Sequence, residues 1–599
     1  MRFNFMKNKY VALGFVLCML ASCSGNVSST STDTPISESS SSSASSEKKT
    51  YRMTRHVPSN KIYANSMETV MGYLPTYYFE GYEDIPYVEL NEFYVDILSM
   101  GSTDENAKSG FKVNDNVITN ILTKASMTID VENNKIIYDD FDMFNSYLEV
   151  SYISNDYTGS LTNKLAKVDA EKSKYTKGHS VTFDLSHYQA QAICYQGKYY
   201  LPFTFMTYPI FSGMNMTLAF NGDDFYTIDN KCLFDMKNKT LTDYGSTFYK
   251  GSLSKTRSTS YAKFFYNSFL FLLENFEGHY GRIKEEKKFI DLDSYISTLG
   301  LKEKLLSTDS DTANDAFLSV IQQVFGDGGH TMSLARGMTS EFSFDQVSTS
   351  VQKMIESDTR CQKSQAIEDE LTKLRKEKIG EKVPALDVSG ETAVIRFDNF
   401  LPHGILTTEN VTQDTESTFG IVYNAFQKIK TDYTAVKNVV FDVTLNGGGA
   451  APALIEVLSF MTDDPITFTT TNLMTSAVNS EVIQIDNNLD GNFDDNDSYH
   501  GKYNFYVMTS GYSFSCGNAL PSIAKEYGYA KIIGTRSGGG DCVVFNACTI
   551  DGGSFLMSAN ASITRKDGTN VDDGVAVDYE LDSSYYYDST KLDGYLKTK

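Results

Sequence analysis

The last third of the chain repeats a short apolar strand, a loop and a helix, and this rhythm constrains the fold more than any other feature. The pattern predicts strands over residues 439–443, 505–508 and 531–533, and helices over 450–461 and 516–527. Strands that alternate with helices are typical of crossover connections in an α/β sheet. We therefore predict an α/β core over residues 386–590, with a mixed sheet covered by helices.

The N-terminus has the layout of a bacterial export signal. Arg2, Lys7 and Lys9 precede an apolar run over residues 11–20, which is too short to span a bilayer by itself. The run closes with Leu-Ala-Ser before Cys23 and resembles a lipobox. The resemblance implies acylation of Cys23 (palmitate-type chains), cleavage before it, and attachment to the extracytoplasmic face of the cell membrane. A plain secretory signal with a chance cysteine is the alternative.

Three further segments separate the signal peptide, residues 1–23, from the α/β core. Residues 24–50 are rich in Ser and Thr, which predicts a disordered tether. Residues 51–255 hold short runs of Tyr, Phe, Thr and Val, typical of a β-rich module that serves as a spacer or binds a partner. Residues 256–385 show helical periodicity, and their charged part over 352–382 reads as a solvated helix.

Charge and cysteine content exclude some classes of function. The 599 residues include 53 basic and 76 acidic side chains, a formal net charge of -23, which repels the phosphates of nucleic acids. The cysteines that follow Cys23 match neither the spacing of a zinc knuckle nor a disulfide scaffold. We expect no nucleic acid partner and no required cofactor.

Three loops carry the candidate chemistry. Ser515 stands where a strand pattern passes into a helix, a turn that presents a hydroxyl beside free helical N–H groups and suits acyl transfer. The loop over 442–449, Asp-Val-Thr-Leu-Asn-Gly-Gly-Gly, lets backbone N–H groups approach a developing negative charge. His330, in Asp-Gly-Gly-His-Thr, can take the serine proton at neutral pH. A capping serine and a loop histidine that bonds the backbone are the structural alternatives.

In the same order, these segments resemble the tail-specific and tricorn-core serine peptidases over roughly residues 260–581. The counterparts are the glycine loop at 442–449, a Ser-Ala-Gly-Glu-like elbow at 515–518 and a closing Gly-Val-x-Pro-Asp-like strand at 574–578. The resemblance implies a crotonase/ClpP-like mixed sheet with helices. It also implies hydrolysis of peptides or unfolded proteins through an acyl-enzyme.

The resemblance further implies how the serine is activated. Tail-specific members use a lysine in the loop after the next strand, where this chain has Gly540. The tricorn-like branch uses a histidine in an Asp-Gly-His-Thr-type turn, supported by an acidic residue near the closing strand. The implied general base is His330, and Asp573 or Asp572 is the implied support. The implied oxyanion donors are the amides of Cys516 and of Gly447 or Gly448.

Other readings of the same residues stay open. Thr444 replaces the arginine common in the glycine loop, which leaves room for a catalytically inactive surface lipoprotein that binds peptides, glycans or a partner protein. An esterase acting on small acyl groups with the same machinery is a third reading. Because Cys516 and Cys542 flank the elbow and the adjoining glycine-rich loop, a disulfide between them is a hypothesis.

Residues 486–497 match the pattern of a calcium loop. Oxygen ligands occupy its first, third, fifth and twelfth positions, a glycine the sixth and an apolar residue the eighth. The candidate ligands are Asp486, Asn488, Asp490, Asn492 and Asp497. An acidic surface turn is the alternative, and a Ca²⁺ ion here would be structural.

Overall fold

The computed structural model describes residues 51–63, 70–97, 110–145, 165–211, 217–228, 232–235, 240–251, 256–326, 330–337 and 359–599. The predicted signal peptide, Cys23 and the tether over 24–50 lie outside the described residues, as do residues 327–329 of the histidine turn. Across the described ranges, no helix combines the length and the apolar character needed to cross a bilayer.

Residues 51–251 are rich in strands, as the sequence predicts. The strands are β1 (Met53–Val57), β2 (Lys61–Tyr63), β3 (Val70–Tyr73), β4 (Thr76–Phe79), β5 (Tyr82–Glu89), β6 (Phe111–Asn114), β7 (Val117–Asn120), β8 (Ser126–Asp130), β9 (Lys135–Tyr138), β10 (Ala166–Val168), β11 (Lys174–Thr176), β12 (Val181–Asp184), β13 (Ile193–Tyr195), β14 (Lys198–Pro202), β15 (Thr217–Phe220), β16 (Phe225–Ile228), β17 (Phe234–Asp235) and β18 (Thr240–Leu241). Short helices interrupt them: α1 (Phe141–Asn145), α2 (Phe203–Phe211) and α3 (Asp243–Phe248). In β8 and β9 buried and half-buried residues alternate, because successive side chains of a strand point to opposite faces.

A helical segment follows, also as predicted. It comprises α4 (Thr259–Phe276), α5 (Tyr280–Lys287), α6 (Leu292–Thr298), α7 (Lys302–Leu305), α8 (Ser310–Val324), the strand β19 (Met332–Ala335) and α9 (Thr359–Ile379). The aromatic and aliphatic side chains along α4 are almost all buried. The charged helix α9 is not wholly solvated, since Leu371 is buried in a cluster with Val394 and Val440 of the C-terminal sheet.

The C-terminal region has the predicted mixed α/β architecture. Its strands are β20 (Leu386–Ser389), β21 (Thr392–Arg396), β22 (Asn438–Asp442), β23 (Ile466–Asn472), β24 (Val478–Ile485), β25 (Asn504–Thr509), β26 (Lys531–Gly534), β27 (Cys542–Cys548), β28 (Ser554–Ile563) and β29 (Tyr579–Glu580). Its helices are α10 (Thr418–Asp432), α11 (Ala451–Ser459), α12 (Cys516–Tyr527) and α13 (Ser589–Leu596).

One sheet of this region places the candidate catalytic loops side by side. Its strand order is β20-β21-β22-β25-β26-β29, and every pair is parallel except β20 with β21. The loop over 443–450 leaves β22, and the elbow over 510–515 leaves the neighbouring β25. Since the carboxyl ends of parallel neighbours lie at one edge, the two loops meet there.

A second, antiparallel sheet joins distant parts of the chain. Its order is β10-β24-β23-β28-β19, with β11 also paired to β24 and β27 to β28. The N-terminal β10 and β11 therefore extend a sheet whose centre is C-terminal. A continuous apolar core likewise contains side chains from residues 62–325 and from 545–559.

Candidate active site

Ser515 lies at the start of α12 in a strained conformation. Its φ of 55° and ψ of -122° are rare for a residue with a side chain. The Ser515 hydroxyl makes no capping hydrogen bond to the helix, and the residue is partly exposed. The reading of Ser515 as an ordinary helix cap therefore loses its support, while the predicted bounds of the helix, 516–527, are confirmed.

The glycine loop packs directly against this serine. A Cβ added at Gly448, whose φ is 116°, would lie 2.7 Å from Ser515 Cβ and 3.1 Å from Ser515 Oγ. A Cβ at Gly517 would lie 2.4 Å from the carbonyl oxygen of Asn446. Both approaches are closer than any side chain allows, so glycine is required at each of these two positions.

Short hydrogen bonds lock the elbow to the glycine loop. Ser513 Oγ donates to the carbonyl of Val443 at 2.7 Å, and Ser510 Oγ donates to the carbonyl of Thr444 at 2.5 Å. Phe514 N donates to the carbonyl of Asn446 at 3.1 Å. Two loops of ten or fewer residues thus hold one another, which keeps the serine backbone in its strained state.

Two backbone N–H groups beside Ser515 are not engaged by the described residues. Gly517, Asn518 and Ala519 donate to carbonyls of the elbow, and Gly448 N donates to Asn446 Oδ1 at 2.8 Å. No hydrogen bond within the described parts of the chain uses the N–H of Cys516 or Gly447. Of the two glycines considered from the sequence, Gly447 therefore keeps an N–H for a ligand.

His330 lies next to the elbow, just before β19. Its side chain is 8% exposed, and its ring centroid is 5.0 Å from that of Phe514. The following Thr331 is fixed, because its hydroxyl donates to Glu277 Oε2 at 2.9 Å and accepts from Ser558 N at 3.0 Å. The structure therefore brings the predicted histidine and serine segments together from positions far apart in the sequence.

The two candidate acids differ sharply in environment. Asp573 is exposed, and its backbone carbonyl accepts from Arg536. Asp572 is buried and accepts from Gly540 N at 3.1 Å, from Arg360 Nη2 at 3.2 Å and from Arg282.

Burial alone would raise the pKa of Asp572. The charges of His279, Arg360 and Arg282 outweigh burial and lower that pKa to about 2. Asp572 is thus a fixed carboxylate beneath the elbow, whereas Asp573 faces solvent.

The residue at the position of the usual arginine in the glycine loop is held by hydrogen bonds of its own. Thr444 is buried, donates its hydroxyl to Asp442 Oδ1 at 2.7 Å and lies 2.9 Å from the Tyr587 hydroxyl. The guanidinium that pairs with Asp442 comes from the adjacent strand, where Arg396 Nε donates to Asp442 Oδ2 at 3.0 Å. The loop is therefore supported without an arginine at position 444.

The disulfide hypothesis for Cys516 and Cys542 is wrong in this structure. The Cys516 thiol donates to the carbonyl of Gly449 at 3.2 Å, and Cys542 Sγ lies 2.9 Å from His279 Nε2. The two thiols contact different loops, so the order along the chain misled the prediction. Burial raises the pKa of Cys516 to about 12, which disfavours it as a nucleophile.

The predicted calcium loop folds around its own carboxylates. Asp486 accepts from Asp490 N at 3.1 Å and from Gly491 N at 2.7 Å, and Asp490 accepts from Asn492 N at 2.8 Å. Asp497 Oδ1 accepts from Asn488 N at 3.3 Å. Burial, with repulsion from Asp486, raises the pKa of Asp497 to about 6. The loop is thus rich in the hard oxygen donors that Ca²⁺ prefers, and in this structure these oxygens accept backbone N–H groups.

Sequence reasoning missed the groups that surround Asp572. His279 Nε2 lies 3.0 Å from Asp541 Oδ1 and 2.9 Å from Cys542 Sγ. Arg360, from the helix read as solvated, donates to the carbonyls of Gly538 and Asp572. Neither residue stands in a local motif, so only the fold reveals them.

Comparison with known proteins finds one family match, in the C-terminal region. Residues 392–581 match the model of "Peptidase family S41". The sequence matches none of the curated proteins with which it was compared.

Solved structures provide a fold comparison only. A photosystem II D1 C-terminal processing protease is 19% identical over 36% of this chain and 49% of its own, with a TM-score of 0.26. A lipoprotein from Streptococcus agalactiae is 12% identical over 58% of this chain and 98% of its own, with a TM-score of 0.34. The tricorn protease is 17% identical over 39% of this chain and 19% of its own, with a TM-score of 0.23. This chain spans about half the length of the first of these, and at such scores none bears on activity.

Proposed function

We propose that this protein hydrolyses peptides or unfolded proteins through an acyl-enzyme on Ser515, since residues 392–581 match the model of peptidase family S41. The observation that carries the proposal is the elbow itself. Ser515 has a strained backbone, a hydroxyl not used for capping, and adjacent N–H groups that no described residue engages. Strain of this kind persists where a site depends on the aim of one side chain.

The proposed reaction assigns a role to each group. His330 takes the proton of Ser515 Oγ as the oxygen attacks the scissile carbonyl carbon, and returns that proton to the leaving amine. The N–H groups of Cys516 and Gly447 stabilise the negative charge that develops on the carbonyl oxygen. In deacylation, His330 takes a proton from water as the water attacks the acyl carbon, and returns it to Ser515 Oγ as the ester bond breaks and the carboxylic acid leaves.

We assign the supporting carboxylate to Asp572 rather than to Asp573. Asp572 holds Gly540 N, and the neighbouring Gly539 accepts a hydrogen bond of 2.9 Å from Ser515 N. A buried carboxylate at this place fixes the loop on which the nucleophile rests. Asp573 is exposed to water and is not assigned this role.

Degradation of a chemically unfolded protein by the purified full chain tests the proposal. Ser515→Ala and His330→Ala should each reduce kcat/KM on the order of 10⁴-fold or more. His500→Ala is the matched control, since His500 is exposed and pairs only at the surface with Asp463. Undiminished activity in Ser515→Ala would refute the assignment. If the unmutated chain is also inert across peptide libraries, the alternative of a binding protein replaces it.

We also propose that the chain is a lipoprotein anchored through Cys23 on the extracytoplasmic face of the cell membrane. The support is the lipobox-like sequence alone. Metabolic labelling with an alkyne fatty acid should label the chain, and Cys23→Ser should abolish the label. Labelling that survives this substitution would contradict the anchor.

Finally, we propose a structural Ca²⁺ in the loop over 486–497. The residues that would hold it are Asp486, Asn488, Asp490 and Asp497, with Asn492 completing the set. The positive φ of Gly491, 85°, gives the sharp turn that such loops need at their sixth position. The ion would fix the loop and take no part in the reaction.

A further inference from the structure

We propose a second metal site, for a transition metal ion of the Zn²⁺ class, held by His279, Asp541 and Cys542. His279 lies between α4 and α5, whereas Asp541 and Cys542 lie at the start of β27. His279 Nε2 is 3.0 Å from Asp541 Oδ1 and 2.9 Å from Cys542 Sγ. One ligand atom from each of the three residues falls within 4.8 Å of the others.

The donor set and its burial favour a metal of this class. The three residues are 7%, 1% and 4% exposed, so this is no surface acidic patch. A thiolate, an imidazole and a carboxylate together suit Zn²⁺ and are not the all-oxygen set that Ca²⁺ or Mg²⁺ prefers. Three protein ligands leave the fourth position of a tetrahedron for water.

His279 Nε2 faces an oxygen and a sulfur at the same time. A ring nitrogen carries at most one proton, so one hydrogen bond from Nε2 satisfies only one of its two close contacts. A cation placed between the nitrogen, the oxygen and the sulfur interacts with all three at once. On binding, the Cys542 thiol releases its proton to solvent, and the ring nitrogen binds in its unprotonated form.

The surrounding groups resemble the usual second layer of a metal site, with the carboxylate of Asp572 beyond hydrogen-bond distance from His279. The other ring nitrogen of His279, Nδ1, faces the carboxylate of Asp572 at 3.8 Å. The other oxygen of Asp541 accepts from Ser562 Oγ at 2.6 Å. Metal-binding histidines commonly present their second nitrogen to a carboxylate, and ligating carboxylates are themselves hydrogen-bonded.

The proposed metal site lies between the groups that hold the His330 segment and those that hold Ser515. This part of the inference rests on the proposed function. On one side, Glu277 accepts from His279 N and from the hydroxyl of Thr331, next to His330. On the other side, Asp541 ends the glycine-rich loop whose Gly539 carbonyl holds Ser515 N. A bound metal would therefore fix the distance between general base and nucleophile.

The test measures metal binding on tag-free full chain carrying Ser515→Ala, so that its result does not depend on peptidase activity. Chelator-treated protein is titrated with Zn²⁺ by calorimetry, and with Co²⁺ by absorbance, in buffer with excess Ca²⁺ to saturate the loop over 486–497. We expect one Zn²⁺ per chain and a thiolate-to-Co²⁺ charge-transfer band. Both should be lost in His279→Ala and Cys542→Ala, and Ser562→Ala should bind about 10 to 100-fold more weakly.

Cys548→Ala is the matched control. Cys548 is a buried thiol at the other end of the same strand, near Thr217 and the carbonyl of Leu218. It should leave the stoichiometry and the band unchanged.

If the chain without a ligand substitution binds no Zn²⁺ and gives no thiolate band, the site does not exist, whether or not the variants fold. A band that survives Cys542→Ala but disappears in Cys548→Ala would equally overturn the assignment. With the site established, chelator should lower the activity of the unmutated enzyme, and Zn²⁺ should restore it. Activity that is indifferent to chelator would overturn only the link to catalysis.

Discussion

Replacement of Gly448 by alanine offers a direct test of the packing between the glycine loop and Ser515. At a φ of 116° an added side chain is strained whatever the space, which costs about 1–3 kcal/mol. The new Cβ would also lie 2.7 Å from Ser515 Cβ. Carbon atoms in contact normally lie about 3.5–4.0 Å apart, so the serine must move by roughly 1 Å.

Gly448→Ala should reduce both the stability of the protein and its activity. Overpacking adds about 1–3 kcal/mol to the backbone strain, so the free energy of unfolding should fall by about 2–6 kcal/mol. A shift of the nucleophile by roughly 1 Å should lower kcat/KM at least about 100-fold. Urea denaturation gives the first quantity. The rate of labelling by a fluorescent phosphonate, which reacts with activated serines, gives the second.

Gly528→Ala is the matched control for backbone strain. Gly528 has a φ of 76° after α12, and a Cβ there would meet nothing within 4 Å. Gly528→Ala should lower the free energy of unfolding by about 1–2 kcal/mol, through backbone strain alone, and should leave the rate of phosphonate labelling unchanged. Because both substitutions remove a glycine, their effects on the unfolded chain cancel in the comparison. Equal stabilities and equal labelling rates for the two variants would refute the proposed contact.

Two further predictions concern the buried ion pair of Asp442 and the proposed calcium loop. Arg396→Ala should lower the free energy of unfolding by about 3–5 kcal/mol in urea titrations, because it leaves Asp442 charged, buried and without its guanidinium. Arg375→Ala, which breaks the half-exposed pair with Asp398, should cost only about 1 kcal/mol or less, and equal losses would contradict this reasoning. Removal of Ca²⁺ by a chelator should lower the melting temperature, by an amount equivalent to about 3 kcal/mol if the ion had been present at a hundred times its Kd. In chelator-treated protein, Asp486→Asn should melt identically with and without added Ca²⁺, and a shift caused by Ca²⁺ in this variant would contradict the loop assignment.

Local features of the active region could be predicted from the sequence. The helix over 516–527, the strands on either side and the glycine loop each follow from patterns within about ten residues. The position of Ser515 followed from where two such patterns meet. The contact between the glycine loop and the elbow could be anticipated because neighbouring parallel strands present their carboxyl ends at one edge of a sheet.

Features that depend on long-range packing could not be predicted. His279 and Asp541 are separated by 262 residues, and no periodicity relates them. The charged pattern of α9 indicated a solvated helix, but it did not show that Arg360 reaches the loop beneath Ser515. The disulfide prediction failed for the same reason, since sequence order does not tell on which side of a loop a thiol lies.

Both halves of the chain contribute strands to the antiparallel sheet. This has consequences for truncation of the protein and for its folding during synthesis. Ala166 pairs with Ile485, and Met332 of the opposite edge pairs with Leu556. A fragment restricted to the family match would leave both edges of this sheet without their outer strands, an arrangement prone to aggregation. During synthesis, β10 leaves the ribosome long before its partner β24 exists. β10 and β11 must therefore wait without this partner, and completion of this sheet is tied to the synthesis of the C-terminal region.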